Sequence, residues 1–151
     1  MDVKAGALSG AAGTVAMSGL NAVLGKVGLV YETVPMQVVD RAEEVGLLEG
    51  WSPARKRAVG LATHLGYGIT SGMLIGALRR EHGQPTTEFA VGIALGLMVW
   101  GIGWSSWLPL LGVHEAPWNQ NTPGVWLPVV GHAVFGGVWG LTHWALTHEQ
   151  E

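Results

Sequence analysis

The sequence predicts an all-α membrane protein with four transmembrane helices in two pseudo-repeated pairs, plus a short amphipathic helix between the first and second spans. Three observations carry that reading. The 151 residues are 48% hydrophobic and only 13% charged, against about 25% charged in a soluble domain. The charges are absent from four long windows. One helical pattern, with its histidine, occurs twice.

The first window, Ala5 to Gly25, holds no charged residue. The second, Ala58 to Leu78, holds none besides His64, and the third, Phe89 to Val113, has neither charge nor histidine. The fourth, Gly124 to Thr147, is apolar apart from His132, His143 and a few hydroxyls. At about 1.5 Å per residue, each is long enough to cross a hydrocarbon core of about 30 Å. A buried helix of a soluble protein rarely runs that far without a charged face. The expected spans are 5–30, 53–79, 88–110 and 124–147, in a single domain over 1–151. The first span lacks a clear small-x-small cleavage site and reads as a retained anchor.

The connections follow from their punctuation. Thr33 and Pro35 open a short helix over about 35–48, with Val38, Ala42, Val45 and Leu48 on one face and Asp40, Glu43, Glu44 and Glu49 elsewhere. Its acidic polar face is unsuited to anionic lipid, so it should pack on the protein. Ser52 and Pro53 read as an N-cap and first-turn proline for the second span. Pro109 should kink or stop the third. Tyr31, Trp51, Trp107, Trp118 and Trp126 fall at one end of the spans, as an interfacial aromatic belt does, and Trp144 marks the other end. Five Lys and Arg residues lie on the side of the first connection and three on the opposite side, which favours the first connection as cytoplasmic.

The repeat reads His-x-x-aromatic-Gly-x-x-x-Gly from His64 to Gly72 and again from His132 to Gly140. Gly6/Gly10 and Gly92/Gly96 add a small-xxx-small step to the first and third spans. Two crossings per copy relate the copies by an axis along the membrane normal. In lipid, close backbone contact replaces the hydrophobic drive between helices. Gly68, Gly72 and Gly76, matched by Gly136 and Gly140, therefore read as packing stripes, within the bundle or at a homodimer face.

Several classes are excluded. A net charge of −3 with no basic stripe excludes nucleic-acid binding. The absence of cysteine excludes disulfides, thiolate metal sites and thiol redox chemistry. No nucleophile elbow, phosphate loop, HExxH or paired-carboxylate pattern occurs, so no enzyme and no catalytic residue is expected.

The chemistry-bearing candidates are His64 and His132, ionisable groups one third to one half of the way across the bilayer. They read as neutral histidines bonded to a neighbouring carbonyl or hydroxyl, as a shared ligand or proton site, or as axial ligands of a b-type haem. Two histidines are too few for a metal site. Glu32, at the end of the first span, and His114-Glu115 in the third connection lie at the same interface and read as solvated positions or as the rim of a shallow site. Trp100, Trp104 and Trp107 form a stripe at i, i+4 and i+7 that reads as packing or lipid-facing rather than a cofactor platform; Trp104 joins the site candidates. Ser105 and Ser106 beside it should bond helix carbonyls. His143, one face-repeat beyond His132, reads as solvated near the far interface.

Glu32 with Pro35, His64, Pro109, Pro117-Trp118 and His132 together resemble the YagU-like family of small bacterial inner-membrane proteins. That resemblance implies a multi-pass protein of the bacterial inner membrane, a family with uncharacterised activity that is sometimes linked to acid tolerance. It imports positions for these residues and no mechanism. The expected function is an accessory, structural or small transport-like module in the lipid bilayer, without cofactor, alone or in a homo-oligomer or larger membrane complex. The alternative is an electron carrier holding haem b between His64 and His132.

Overall fold

The computed structural model describes residues 2–29, 32–79, 83–120 and 125–148. Within them the chain forms α1 (Val3–Lys26), α2 (Val34–Glu44), α3 (Pro53–Leu78), α4 (Pro85–Ser105), α5 (Trp107–Leu110) and α6 (Trp126–His148), with no strand among the described residues. Three segments, Val3–Lys26, Pro53–Leu78 and Pro85–Leu110, are long and apolar enough to cross a membrane. α6 has the length, at 23 residues, and carries His132, His143 and His148.

Local chemistry sets the ends. The Asp2 carboxylate accepts from the Ala5 amide at 2.9 Å and caps α1. Ser52 caps α3, and Pro53 occupies its first turn, as the sequence predicts. α1 stops at Lys26, with Gly28 at φ +76° just beyond, so it is shorter than the expected 5–30. α4 begins at Pro85, one turn before the predicted start, and ends at Ser105, four residues before Pro109. Pro109 sits inside α5, a single turn set off from α4 by the non-helical backbone of Ser106. Ser106 donates its hydroxyl to the Ile102 carbonyl, the helix-carbonyl bond expected of it.

α2 departs from its predicted face. It ends at Glu44, not near 48, and Gly46 turns the chain at φ +84°. Val39 is the buried residue, whereas Val45 is exposed. The predicted stripe included Val45 and Leu48, which lie beyond the helix and do not share its periodicity. α2 packs on α3, where Gly60 admits Met36 and Val39, and a Lys56–Glu43 ion pair reinforces that contact. Arg41 donates from Nε to the Leu111 carbonyl at 3.0 Å, tying α2 to the turn after α5.

The long helices stand in the order α3–α1–α6–α4, with α3 and α4 scarcely touching. Glycine makes two of the three contacts. A Cβ at Gly10 would collide with the Gly68 carbonyl, and one at Gly6 with that of Gly72. In the second pair, a Cβ at Gly92 would collide with the Gly136 carbonyl, one at Gly96 with that of His132, and one at Gly140 with that of Glu88. The predicted stripes thus make the within-bundle contacts, between α1 and α3 and between α4 and α6. At the central contact between α1 and α6, Gly13 meets Phe135 and Gly131 meets Met17. Trp139, fully buried, donates from Nε1 to the Gly6 carbonyl at 3.3 Å.

The burial pattern is inverted relative to a soluble bundle. Glycines, Ser9, Thr14, Glu88 and His143 are inside, while Leu8, Val15, Leu61, Leu74, Ile102 and Leu141 are outside. Only 28%, 22% and 22% of the most apolar stretches of the three candidate spans are buried within the protein. An apolar exterior around a small-residue interior is what lipid, and not water, selects.

Candidate functional site

The helices that meet at glycine toward one end separate toward the other, and a cavity of about 690 Å³ fills the space. α1 contributes Met17 and Asn21, α3 Thr63, His64 and Tyr67, and α4 Val99, Trp100, Gly103 and Trp104. α6 contributes Leu127, Pro128 and His132. α2 (Val34, Pro35, Gln37, Val38), α5 (Trp107, Leu108) and the loop residues Glu32, His114 and Gln120 complete the wall at the connection end. A second space of about 20 Å³, room for about one water, lies between Thr14, His64, Tyr67, Gly68, His132 and Phe135.

All four predicted ligand-site candidates, His64, His132, Glu32 and Trp104, therefore line one cavity. The two histidines are positioned in related ways. Nδ1 of His132 lies 2.8 Å from the Pro128 carbonyl, one turn back in α6. A carbonyl only accepts, so Nδ1 carries the hydrogen, and the neutral ring presents the lone pair of Nε2. Nδ1 of His64 lies 3.3 Å from the Ser18 hydroxyl on α1. Each ring is thus held through Nδ1 by the carbonyl or hydroxyl partner expected for an intramembrane histidine, and each Nε2 is left without a hydrogen bond to the protein.

At the connection end a polar chain fixes the aromatic wall. Trp104 donates from Nε1 to Gln120 Oε1 at 3.3 Å. Tryptophan is a donor only, so this bond sets the Gln120 amide, whose Nε2 donates to the Glu115 carbonyl. Nδ1 of His114 lies 2.7 Å from the same carbonyl and therefore carries its hydrogen. The His114 ring lies 4.2 Å from the Trp104 ring, centroid to centroid. Trp100 and Trp104 stack at 6.3 Å, and Tyr67 of α3 meets Trp107 of α5 at 5.8 Å. The tryptophan stripe expected to serve packing or lipid contact instead walls the cavity.

Glu32 lies beyond the end of α1 and immediately before Thr33, the N-cap of α2, rather than ending the first span. Hydrogen bonding to Asp40 holds its carboxyl above the usual range, with burial and the Asp40 charge adding to the shift and a hydrogen bond from Gln37 opposing it. Among the described residues, Glu32 is the only Asp or Glu in the cavity wall, and no Lys or Arg joins it there.

Three buried polar atoms on lining residues have no partner: Gln37 Oε1, Trp100 Nε1 and His114 Nε2. Sequence reasoning did not single out Gln37 or Tyr67. The signal for Tyr67 was its place in the repeat, three residues after His64. Gln37 carried none, because only the tertiary placement of α2 turns it toward the cavity.

His143 corrects an expectation. It is fully buried, stacked on Trp139 at 4.6 Å and 18°, and is not solvated. Its spacing from His132 gave the face correctly, but the packing of α6 against α1 at that depth was not legible. Among the described residues, no group of three or more His, Cys, Asp or Glu side chains is arranged to hold a metal ion. Tyr31, part of the predicted aromatic belt, lies outside the described residues. Trp51, Trp118 and Trp126 are exposed, as a belt requires.

No family model, no curated protein and no solved structure matches this chain.

Proposed function

We propose that this is a multi-pass inner-membrane protein whose four long helices all cross the bilayer, and that it works as a non-enzymatic small-molecule binding or transport-like module. The two copies, α1 with α3 and α4 with α6, are related by an axis along the membrane normal, in keeping with the YagU-like resemblance. One observation carries the functional reading: groups from every long helix converge on a single cavity of about 690 Å³, within the range of small-ligand sites. The cavity is mostly apolar, with a few polar groups, and His64 and His132 both line it while held through Nδ1.

A thermal-shift screen of the detergent-purified protein against membrane-soluble compounds tests this. Stabilisation by at least one compound is expected, and it should vanish in Gly103→Phe. A side chain at Gly103 would meet Trp107, Tyr67 and Leu108 at 3.4 to 3.9 Å, ordinary contact distances, so the phenyl ring fills the cavity while leaving the fold. No stabilisation by any compound would count against a ligand site. Release of the protein by alkaline carbonate would count against membrane crossing.

The electron-carrier reading has one observation in its favour. A ligating histidine usually commits its other ring nitrogen to a carbonyl or similar partner, as His132 does to Pro128. Against it, no Lys or Arg among the described residues lines the cavity to meet haem propionates. A visible spectrum decides: absence of a Soret band after expression with ample haem removes this reading.

A further inference from the structure

We propose that the ligand of this cavity is a lipophilic organic cation, an ammonium- or phosphonium-type centre carrying apolar groups. The inference rests on the binding-module reading above and adds the charge class of the ligand.

The wall is one-signed. Among the described residues it contains no Lys or Arg, and its only carboxyl group is that of Glu32, at the connection end. An anion brought there would meet a carboxylate and no compensating cation. Four large aromatic rings also line it, Tyr67 on α3, Trp100 and Trp104 on α4 and Trp107 on α5. The electron-rich face of an indole attracts a cation, by about 2 kcal/mol or more where the site is desolvated. Two acceptor atoms also stand without partners. Gln37 Oε1 is buried and unbonded, and the neutral His132 ring offers a lone pair at Nε2 because Nδ1 faces the Pro128 carbonyl. An N–H of an ammonium centre satisfies either. The lipophilic character follows from the open side: α3 and α4 scarcely touch, and both line the cavity, so a ligand dissolved in the bilayer reaches it without crossing water.

The test compares two ions of nearly the same shape and opposite sign, tetraphenylphosphonium and tetraphenylborate. The full chain in lipid nanodiscs is titrated with each, tryptophan emission is followed, and empty nanodiscs supply the partition background. Saturable phosphonium binding at least tenfold tighter than borate binding is expected. Glu32→Gln should weaken it at least threefold, and Gly103→Phe should abolish it. If Gly103→Phe misfolds by circular dichroism, Trp104→Leu replaces it, with a loss of at least tenfold expected. Equal affinity for the two ions, or an affinity unchanged in Glu32→Gln, overturns the charge assignment and leaves the binding module standing if the cavity-filling variant still removes binding. Failure of both ions together with the neutral compounds of the thermal-shift screen overturns the module as well.

Discussion

The two ends of this bundle are built from the same two helix pairs and differ in nearly every other respect. At one end Gly6, Gly10, Gly92 and Gly96 bring backbones into contact with Gly68, Gly72, Gly136 and Gly140, and nothing larger than a hydrogen fits between them. At the other, His64, His132, Tyr67 and three tryptophans stand around open space. Close approach at glycine costs freedom at one end and leaves room at the other, because straight helices that meet at one level must part at another. The repeat encodes both halves, with the histidine toward the open end and the glycines toward the closed one.

The sharpest way to break that contrast is to wedge the closed end. Gly136→Leu should prevent α4 from docking on α6, since even a Cβ there collides with the Gly92 carbonyl. We expect loss of folded protein, read by size-exclusion yield and circular dichroism in detergent. Next comes Arg79→Ala. Arg79 pairs with Glu88, which is fully buried and also accepts from the Gly83 amide at 2.7 Å. Removing one partner of a buried pair strands the other, at about 3 kcal/mol, so a clear fall in Tm should follow. Gly66→Ala should act in the opposite direction. No atom lies within 4 Å of a Cβ at that position, and the gain in helix propensity is about 1 kcal/mol. A destabilised Gly66→Ala would mean that glycine matters at the open end as well.

Substitutions of the groups that hold the cavity residues should hardly touch stability. Ser18→Ala removes the hydroxyl beside His64, and such bonds are worth about 0.6 kcal/mol in a membrane. A small Tm change with ligand binding weakened is the expected pair of results. The smallest effect concerns Glu32, outside the spanning helices. Its raised carboxyl binds a proton more tightly in the folded protein than in the unfolded chain. The resulting stabilisation is complete below the ordinary glutamate range and is lost as pH rises through the raised value. Comparing the pH dependence of Tm with that of Glu32→Gln should show this slope only in the parent.

Much of the closed end was legible in the sequence, because small residues at four-residue spacing on an uncharged helix have few other uses. The helix limits around Pro53 and Pro85 were nearly so, since proline and an N-cap act locally. The open end was less legible. His64 and His132 stood out by their depth, but Trp100, Trp104 and Trp107 look the same in sequence whether they face lipid, core or cavity. Which of these holds depends on the α3–α1–α6–α4 order, a matter of long-range packing. The buried face of α2 was missed for a related reason: Val39, and not Val45, meets Gly60 of α3.

The Arg79–Glu88 pair also has a mechanical meaning. It clamps the end of α3 to the first turn of α4, the two outer helices, which hardly meet elsewhere. α3, with 26 residues, is a rod about 39 Å long, and the clamp lies at its foot. A swing of about 5° about that foot displaces the far tip by about 3 Å. A single charge pair thus sits at the foot of a long lever, whose other half carries the cavity residues Thr63 and His64.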